Sequence, residues 1–278
     1  RARPLSRESR SIRRMPCVID NLVAYRGFVL GSVKREFQSR YANSLLGALW
    51  PLINPLAMIT VYTLVFSQLM RAKLPGVEDG LAYGFYLCSG FLVWGLFSEI
   101  VGRSQTMFID NANLIKKVSF PRVCVPAVVV LSALVNFSIA FGIFMVFLML
   151  AGSYLGAPLI VLPLLVAGVV LFAASLGVVV GILNVFFRDV GQAVGVVMQF
   201  WFWLTPVVYP VSIIPDRFRP LVDWNPLTPV ITAFQQVLVF RSWPDWLSLV
   251  YPVVLSLLLC VAGLWLFRQR AGELVDEL

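Results

Sequence analysis

Apolar residues in this chain fall into six long runs that are separated by short polar stretches. The runs cover roughly residues 44–70, 83–107, 123–151, 160–183, 192–209 and 246–267. Each is close to the ~20 residues that an α-helix needs to cross the hydrocarbon core of a bilayer. The pattern therefore predicts an all-α integral membrane protein in which residues 43–270 form a six-span transmembrane domain.

The segment between the fifth and sixth runs has a different pattern. Six of the 17 prolines lie in residues 205–240, between apolar pieces that are too short to cross a membrane. Non-helical backbone at membrane depth is tolerated only where it is buried in protein or lines a cavity. We therefore predict that residues 210–240 dip into the membrane as re-entrant helices and return on the same side.

Residues 22–42, which precede the first run, have apolar positions at helical spacing. Leu22, Tyr25, Val29, Val33 and Phe37 fall on one stripe, and basic residues lie off it. A basic amphipathic helix of this kind is typical of the membrane interface, although a helix packed on protein would show the same pattern. Residues 1–21 are rich in arginine and are predicted to form a cytoplasmic tail.

Composition supports a membrane protein and disfavours an enzyme. The chain is 59% hydrophobic and 13% charged, whereas soluble domains average about 45–50% apolar and about 25% charged. It has no histidine and four scattered cysteines, so a metal site, a disulfide framework and Ser-His catalysis have little support. It also lacks the G-x-x-x-x-G-K-[ST] phosphate loop. We expect no catalytic residue, no metal site and no cofactor bound by this chain.

The net charge of +8 is explained by topology better than by nucleic-acid binding. With six spans, 17 of the 22 Lys and Arg residues lie on the side of the N-terminal tail. Basic residues concentrate on the cytoplasmic side of membrane proteins. Both termini, including residues 271–278, are therefore predicted to be cytoplasmic, together with the loop 108–122 and the short connection 184–191, while residues 210–240 lie outside.

Polar and aromatic residues inside the runs are the candidates for function. Glu99 is the one acidic residue well inside a run, and Arg103 follows it by one helical turn. Ionisable residues within the membrane are functional candidates, but this pair also has a structural reading as an i,i+4 ion pair. Aromatic residues either pack against lipid or line a passage. The best candidates for such a passage are Tyr62, Phe66, Trp94, Gln199 and Trp203.

Four stretches, in this order, resemble the ABC-transporter permeases that export polysaccharides such as O-antigen, capsule and teichoic acid. They are SLLGALWPLINPL (44–56), NANLIKKVSFPR (111–122), FFRDV (186–190), and YPVSIIP with NPLTPVITAFQQVLV (209–215 and 225–239). Together with the spacing of the runs, the resemblance covers nearly all of the chain after residue 21.

The resemblance implies a homodimer in the inner (cytoplasmic) membrane with two copies of a separate ABC ATPase, which would carry the ATP and magnesium. The loop 108–122 would hold a coupling helix, with Asn113, Leu114, Ile115, Lys116 and Lys117 against the ATPase and Arg188 and Asp189 in a second contact. The substrate would be a lipid-linked glycan that moves through a channel between protomers. Lys34, Arg35 and Arg40 could attract its head group, although positive-inside placement also explains them.

Two other functions are compatible with these features. The first is a related ABC permease that exports a drug or a small lipid. The second is an ATP-independent flippase or a membrane glycosyltransferase. The aromatic fifth run favours glycan export over the first, and the lack of a carboxylate cluster on a loop argues against a transferase.

Overall fold

The computed structural model describes residues 24–41, 49–65, 81–117, 123–152 and 156–270, together with residues 273 and 277. Within these ranges the regular elements are helical and no strand occurs. The prediction of an all-α protein is thus confirmed for the described part of the chain.

The helices are numbered here in chain order. They are α1 (Arg26–Tyr41), α2 (Trp50–Tyr62), α3 (Ala82–Ser104), α4 (Met107–Asp110), α5 (Ala112–Lys117), α6 (Cys124–Leu150), α7 (Leu162–Phe186), α8 (Asp189–Leu204), α9 (Arg219–Asp223), α10 (Leu227–Leu238) and α11 (Trp246–Arg270). Short 3-10 helices occupy Ala157–Val161, which runs directly into α7, and Val211–Ile213.

Four of the described helical segments are long and apolar enough to cross a membrane. They are Ala82–Ser104, Cys124–Leu150, Ala157–Phe186 and Trp246–Arg270, and they correspond to the second, third, fourth and sixth predicted spans. The first predicted span is described only in part, because residues 44–48 and 66–70 lie outside the described ranges. Its described portion is α2 and a short π-helical turn at residues 63–65.

The helix in the fifth predicted span is shorter than expected. It ends at Leu204 instead of Tyr209, and Thr205 is extended, with φ −101° and ψ 134°. The cause is Pro206, because proline disfavours the helical conformation in the residue before it. The connection expected over residues 184–191 is also shorter than predicted, since α7 continues to Phe186 and α8 begins at Asp189.

Helix α3 lies at the centre of the bundle, with α2, α6, α7 and α10 packed around it. Phe97 and Ile100 of α3 are fully buried, and so are Ile231 and Phe234 of α10. The ring of Phe97 stacks on Phe172 of α7 with the centroids 5.6 Å apart. The hydrophobic core therefore surrounds α3, and the neighbouring helices are positioned by contact with it.

Two glycines allow α7 to approach the end of α3 closely. A Cβ atom at Gly181 would lie 2.5 Å from the backbone oxygen of Ser104, and one at Gly177 would lie 2.6 Å from the Ser104 side chain. The spacing Gly-x-x-x-Gly places both residues on one helix face, which is the pattern used for close helix contacts in membranes. These two positions hold the end of α3 against α7.

The extended backbone that follows α8 is satisfied by side chains of other helices. The Tyr83 hydroxyl donates to the carbonyl of Val208 at 2.8 Å. The Gln235 amide donates to the carbonyl of Pro206 at 3.3 Å. Buried carbonyl groups outside a helix need such partners, because an unpaired one costs a large desolvation free energy.

Asn225 fixes the same region from the other side. Its side-chain oxygen accepts hydrogen bonds from the Trp201 indole at 2.8 Å and from the backbone of Leu227 at 3.0 Å. Its amide donates to the Thr205 hydroxyl at 2.8 Å. One buried side chain thus joins the end of α8 to the beginning of α10.

Candidate functional site

Two short helices, α4 and α5, form a polar corner between α3 and α6. Asn111 separates them, and its side-chain amide donates to the backbone carbonyl of Met107 at 2.8 Å. The hydroxyl of Thr106 donates to the carboxylate of Asp110 at 2.7 Å. These local hydrogen bonds are of the kind by which Asn and Thr side chains compete with a continuing helix, and here they turn the chain.

A small hydrophobic cluster packs against this corner. Met107 and Phe108 of α4 and Ile115 of α5 pack with Val125 and Val129 of α6 and with Ile182 and Val185 of α7. Ile115 is only 8% exposed. Ile115 is one of the residues expected to contact the ATPase, and most of its apolar side chain packs into this cluster, where it holds α5 in place.

The other residues predicted for this surface differ in exposure. Asn113 and Lys116 are exposed and Leu114 is half-buried. The side chain of Lys117 lies outside the described part of the chain. Arg188 and Asp189 are exposed at the turn between α7 and α8.

Asn184 links that turn to the corner. Its side-chain oxygen accepts a hydrogen bond from the backbone of Gly191 at 2.8 Å. Its amide donates to the backbone carbonyl of Gln105 at 2.7 Å, just after α3 ends. Asn184 is only 4% exposed, so these hydrogen bonds are shielded from water. The hydrogen bonds of Asn184 thus connect the corner that carries Lys116 with the turn that carries Arg188.

Helix α1 packs along α6. Val29, from the predicted apolar stripe, is buried, whereas Lys34 and Arg35 are exposed. The guanidinium of Arg35 donates to the hydroxyl of Ser32 at 2.9 Å. The side chain of Arg40 lies outside the described residues.

An ionic network joins α1, α3 and α6 inside the bundle. Arg103 contacts Glu99 at 3.5 Å, and it also forms an ion pair with Glu36 of α1. The Asn136 amide donates to Glu99 at 2.6 Å, and the Ser132 hydroxyl donates to Glu36 at 2.9 Å. One guanidinium therefore balances carboxylates from two helices.

The sequence analysis missed Ser132 and Asn136 of this network, and it also missed the charged member, Glu36. The signal was present as an acidic residue on a basic helix, one turn after the polar position Ser32. It could not be matched to Arg103 without the packing of α1 against the bundle.

The aromatic candidates separate into two groups. Tyr62 stacks on Phe91 with the centroids 4.3 Å apart. The ring centroid of Phe202 lies 5.4 Å from that of Trp94 and 5.5 Å from that of Phe91. Tyr62 and Trp94 thus belong to a packed cluster that joins α2, α3 and α8.

Gln199 and Trp203 lie instead on the outward face of α8. Trp203 is 62% exposed, and no residue of α8 is buried. Phe66 lies outside the described residues. Among the described residues, no group of three or more His, Cys, Asp or Glu side chains has the spacing of a metal site.

Comparison with known proteins gives this arrangement its context. The model of the ABC-2 type transporter family matches residues 29–239. The O-antigen export system permease protein RfbA of Myxococcus xanthus is 30% identical over 263 residues, which cover 94% of this chain and 99% of that protein. A permease of the same name from Klebsiella pneumoniae is 29% identical, covering 84% of this chain and 88% of its own.

More distant similarity extends to a second kind of transport protein. The polysialic acid transport protein KpsM of Escherichia coli is 21% identical over 245 residues, covering 87% of this chain and 93% of that protein. The aligned regions therefore include most of the helices described in this chain, and the similarity is not confined to one motif.

Proposed function

This chain belongs to the ABC-2 type transporter family, and on that basis we propose that it is the membrane permease subunit of an ATP-driven exporter. Its cargo is a lipid-linked polysaccharide of the O-antigen or capsule type, which it moves out of the cytoplasm. The observation that carries this proposal is the 30% identity to an O-antigen export permease over 94% of the chain.

A six-span topology also includes α2, which belongs to a span described only in part, and α8, which ends early at Leu204. In this proposal α2 and α8 complete the set of spans, and α9 and α10 form the re-entrant segment on the outer side. Both termini are then cytoplasmic. The side-chain hydrogen bonds to the carbonyls of Pro206 and Val208 support this assignment, because non-helical backbone at membrane depth requires such partners.

The corner formed by α4 and α5 is the proposed docking surface for the ATPase. Each of the two protomers binds one ATPase subunit there. Asn113, Leu114 and the Lys116–Lys117 pair contact the ATPase, and Arg188 and Asp189 make the second contact. The buried cluster beneath α4 and α5 supports this role, since a push on a rigid corner moves α3, α6 and α7 together.

The outward face of α8 is the proposed contact with a second copy of this chain. Val196, Phe200 and Trp203 are each more than half exposed in the single chain. Gln199 and Trp203 then face a passage between the protomers. Tyr62 and Trp94 pack behind that passage, and Phe66 remains a proposed lining residue. Lys34, Arg35 and Arg40 attract the head group of the lipid carrier.

Charge reversal at Lys116 and Lys117 tests the proposal. The double variant Lys116→Glu, Lys117→Glu is expected to insert into the membrane normally, to lose co-purification with the ATPase and to stop glycan export. Reversal of the exposed Arg217, which lies between α8 and α9, is the matched control and should leave ATPase binding intact. Unchanged export by the double variant would remove the docking assignment.

A further inference from the structure

A cleft within the single chain opens between α2, α3 and α6. Its volume is about 420 Å³, which lies in the usual range of ligand pockets. It is distinct from the outward face of α8, because none of the described residues that line it belongs to that helix. Its lining residues include Trp50, Asn54, Phe91, Glu99, Asn136 and Phe137.

The polar side chains of this cleft come from three different helices. Asn54 projects from α2, Glu99 from α3 and Asn136 from α6. Asn54 is exposed, and the Glu99 side chain is 25% exposed. The Asn136 amide donates to Glu99 at 2.6 Å, so this hydrogen-bonded pair and the exposed Asn54 together give the cleft a polar side. Polar and ionisable groups are expensive inside a membrane, and a polar side of this kind favours a ligand with polar groups of its own.

The remaining wall is aromatic and apolar. Trp50, Phe91 and Phe137 line the cleft together with aliphatic residues. Flat rings beside carboxylate and amide groups are suited to a sugar, whose C–H faces stack on rings and whose hydroxyl groups donate to oxygen acceptors.

Three other occupants fit the cleft less well. An acyl chain would bury Asn54 and Glu99 without a new hydrogen bond, which is unfavourable. A phosphate group would find no cationic partner, because none of the described lining residues is basic. Since Arg103 already balances Glu99, a cationic ligand gains little there.

We propose that the cleft between α2, α3 and α6 is a binding subsite for one uncharged sugar unit, held by Asn54, Glu99 and Asn136 against the rings of Trp50 and Phe91. This inference rests on the proposed function, because it assigns the carbohydrate part of the cargo to a place in each protomer. It predicts recognition of sugar even when no ATPase is present.

The test compares three lipids with identical acyl chains: glucosyl-diacylglycerol, diacylglycerol and phosphatidic acid. The full chain in phosphatidylcholine nanodiscs is titrated with each lipid, and the bound lipid is counted by native mass spectrometry. We expect wild type to retain the glucosyl lipid about fivefold more strongly than diacylglycerol, as one net hydrogen bond gives. Asn54→Leu should bring that ratio close to one.

Ser138→Ala is the matched control, because Ser138 is an exposed polar residue of α6 outside the cleft, and its hydroxyl donates to Leu134 of its own helix. It should keep the preference of wild type. Equal retention of the two neutral lipids by wild type, or stronger retention of phosphatidic acid, would overturn the sugar subsite. An unchanged ratio in Asn54→Leu would do the same. None of these outcomes involves export or the ATPase, so the proposed function would stand or fall separately.

Discussion

The side-chain amide of Asn184 donates a hydrogen bond of 2.7 Å to the backbone carbonyl of Gln105. Asn184 lies near the end of α7, and Gln105 follows the last residue of α3. The same side chain accepts a hydrogen bond from Gly191. A single buried residue therefore connects the corner at α4 and α5 with the turn before α8.

Asn184→Ala is expected to loosen this connection. Loss of both hydrogen bonds should lower the free energy of unfolding by about 1–3 kcal/mol. It should also speed hydrogen exchange of the Gly191 amide, because that amide loses its acceptor. Exchange mass spectrometry in detergent micelles measures the second effect directly. Asn113→Ala, at an exposed position of α5, should change neither quantity, and an unaltered Gly191 exchange rate in Asn184→Ala would contradict this role.

Gly181→Ala is expected to destabilise the contact between α3 and α7. The added Cβ would lie 2.5 Å from the Ser104 carbonyl oxygen, so backbone must move. Overpacking of this kind costs about 1–3 kcal/mol. Gly168→Ala on the same helix is the control, since nothing lies within 4 Å of a Cβ at that position. Thermal unfolding should separate the two variants, and equal melting temperatures would show that α3 and α7 do not pack this closely.

The sequence predicts what depends on local pattern. Hydropathy over about 20 residues locates α3, α6, α7 and α11, since these helices are long and apolar. The early end of α8 is also local, because Pro206 disfavours a helical Thr205. Hydropathy alone predicts an end at Tyr209, because apolar residues continue past the proline although the helix does not.

Residue pairs that are distant in sequence could not be predicted in the same way. Glu99 and Arg103 are four residues apart, so helical geometry brings them together. Glu36 reaches Arg103 only because α1 packs along α6, and no periodicity in either segment encodes that contact. Ile115 is a second example. The polar residues around it in the loop 108–122 indicate a surface, but the burial of its side chain is set by α4, α6 and α7.

Trp203 and Tyr62 should behave differently when each is replaced by alanine. Trp203 is 62% exposed in the single chain and is proposed to face the passage between the protomers. Its loss should therefore lower the melting temperature less than loss of Tyr62, while it alters glycan export. Tyr62 stacks on Phe91, and aromatic pairs contribute about 0.5–1.5 kcal/mol beyond area burial. Tyr62→Ala should therefore lower the melting temperature. Melting curves and export assays on both variants make the comparison, and normal export by Trp203→Ala would place that ring against lipid.

Asn225→Ala should release the outer segment from the end of α8. The variant removes the acceptor of the Trp201 indole and of the Leu227 amide, together with the donor to Thr205. We expect a loss of about 2–4 kcal/mol, because buried polar groups are left without partners. Trp201 would also become less ordered, which fluorescence anisotropy can follow. Asp223→Ala, at an exposed position in α9, is the control, and equal stability of the two variants would contradict the anchoring role.

The ion pair between Glu36 and Arg103 makes an asymmetric prediction. In Glu36→Gln, Arg103 keeps its contact with Glu99. In Arg103→Gln, two carboxylates lose the cation that they share, and removal of one partner from an ion pair inside the bundle is costly. Arg103→Gln should therefore destabilise the protein more than Glu36→Gln.

The side chains of Arg103 and Glu36 are 24% and 29% exposed. Their coupling free energy should therefore lie between the values of surface and buried ion pairs, at about 1–2 kcal/mol. A double-mutant cycle of unfolding by sodium dodecyl sulfate measures this coupling. Additive effects of the two substitutions would show that α1 is not held to α3 by this pair.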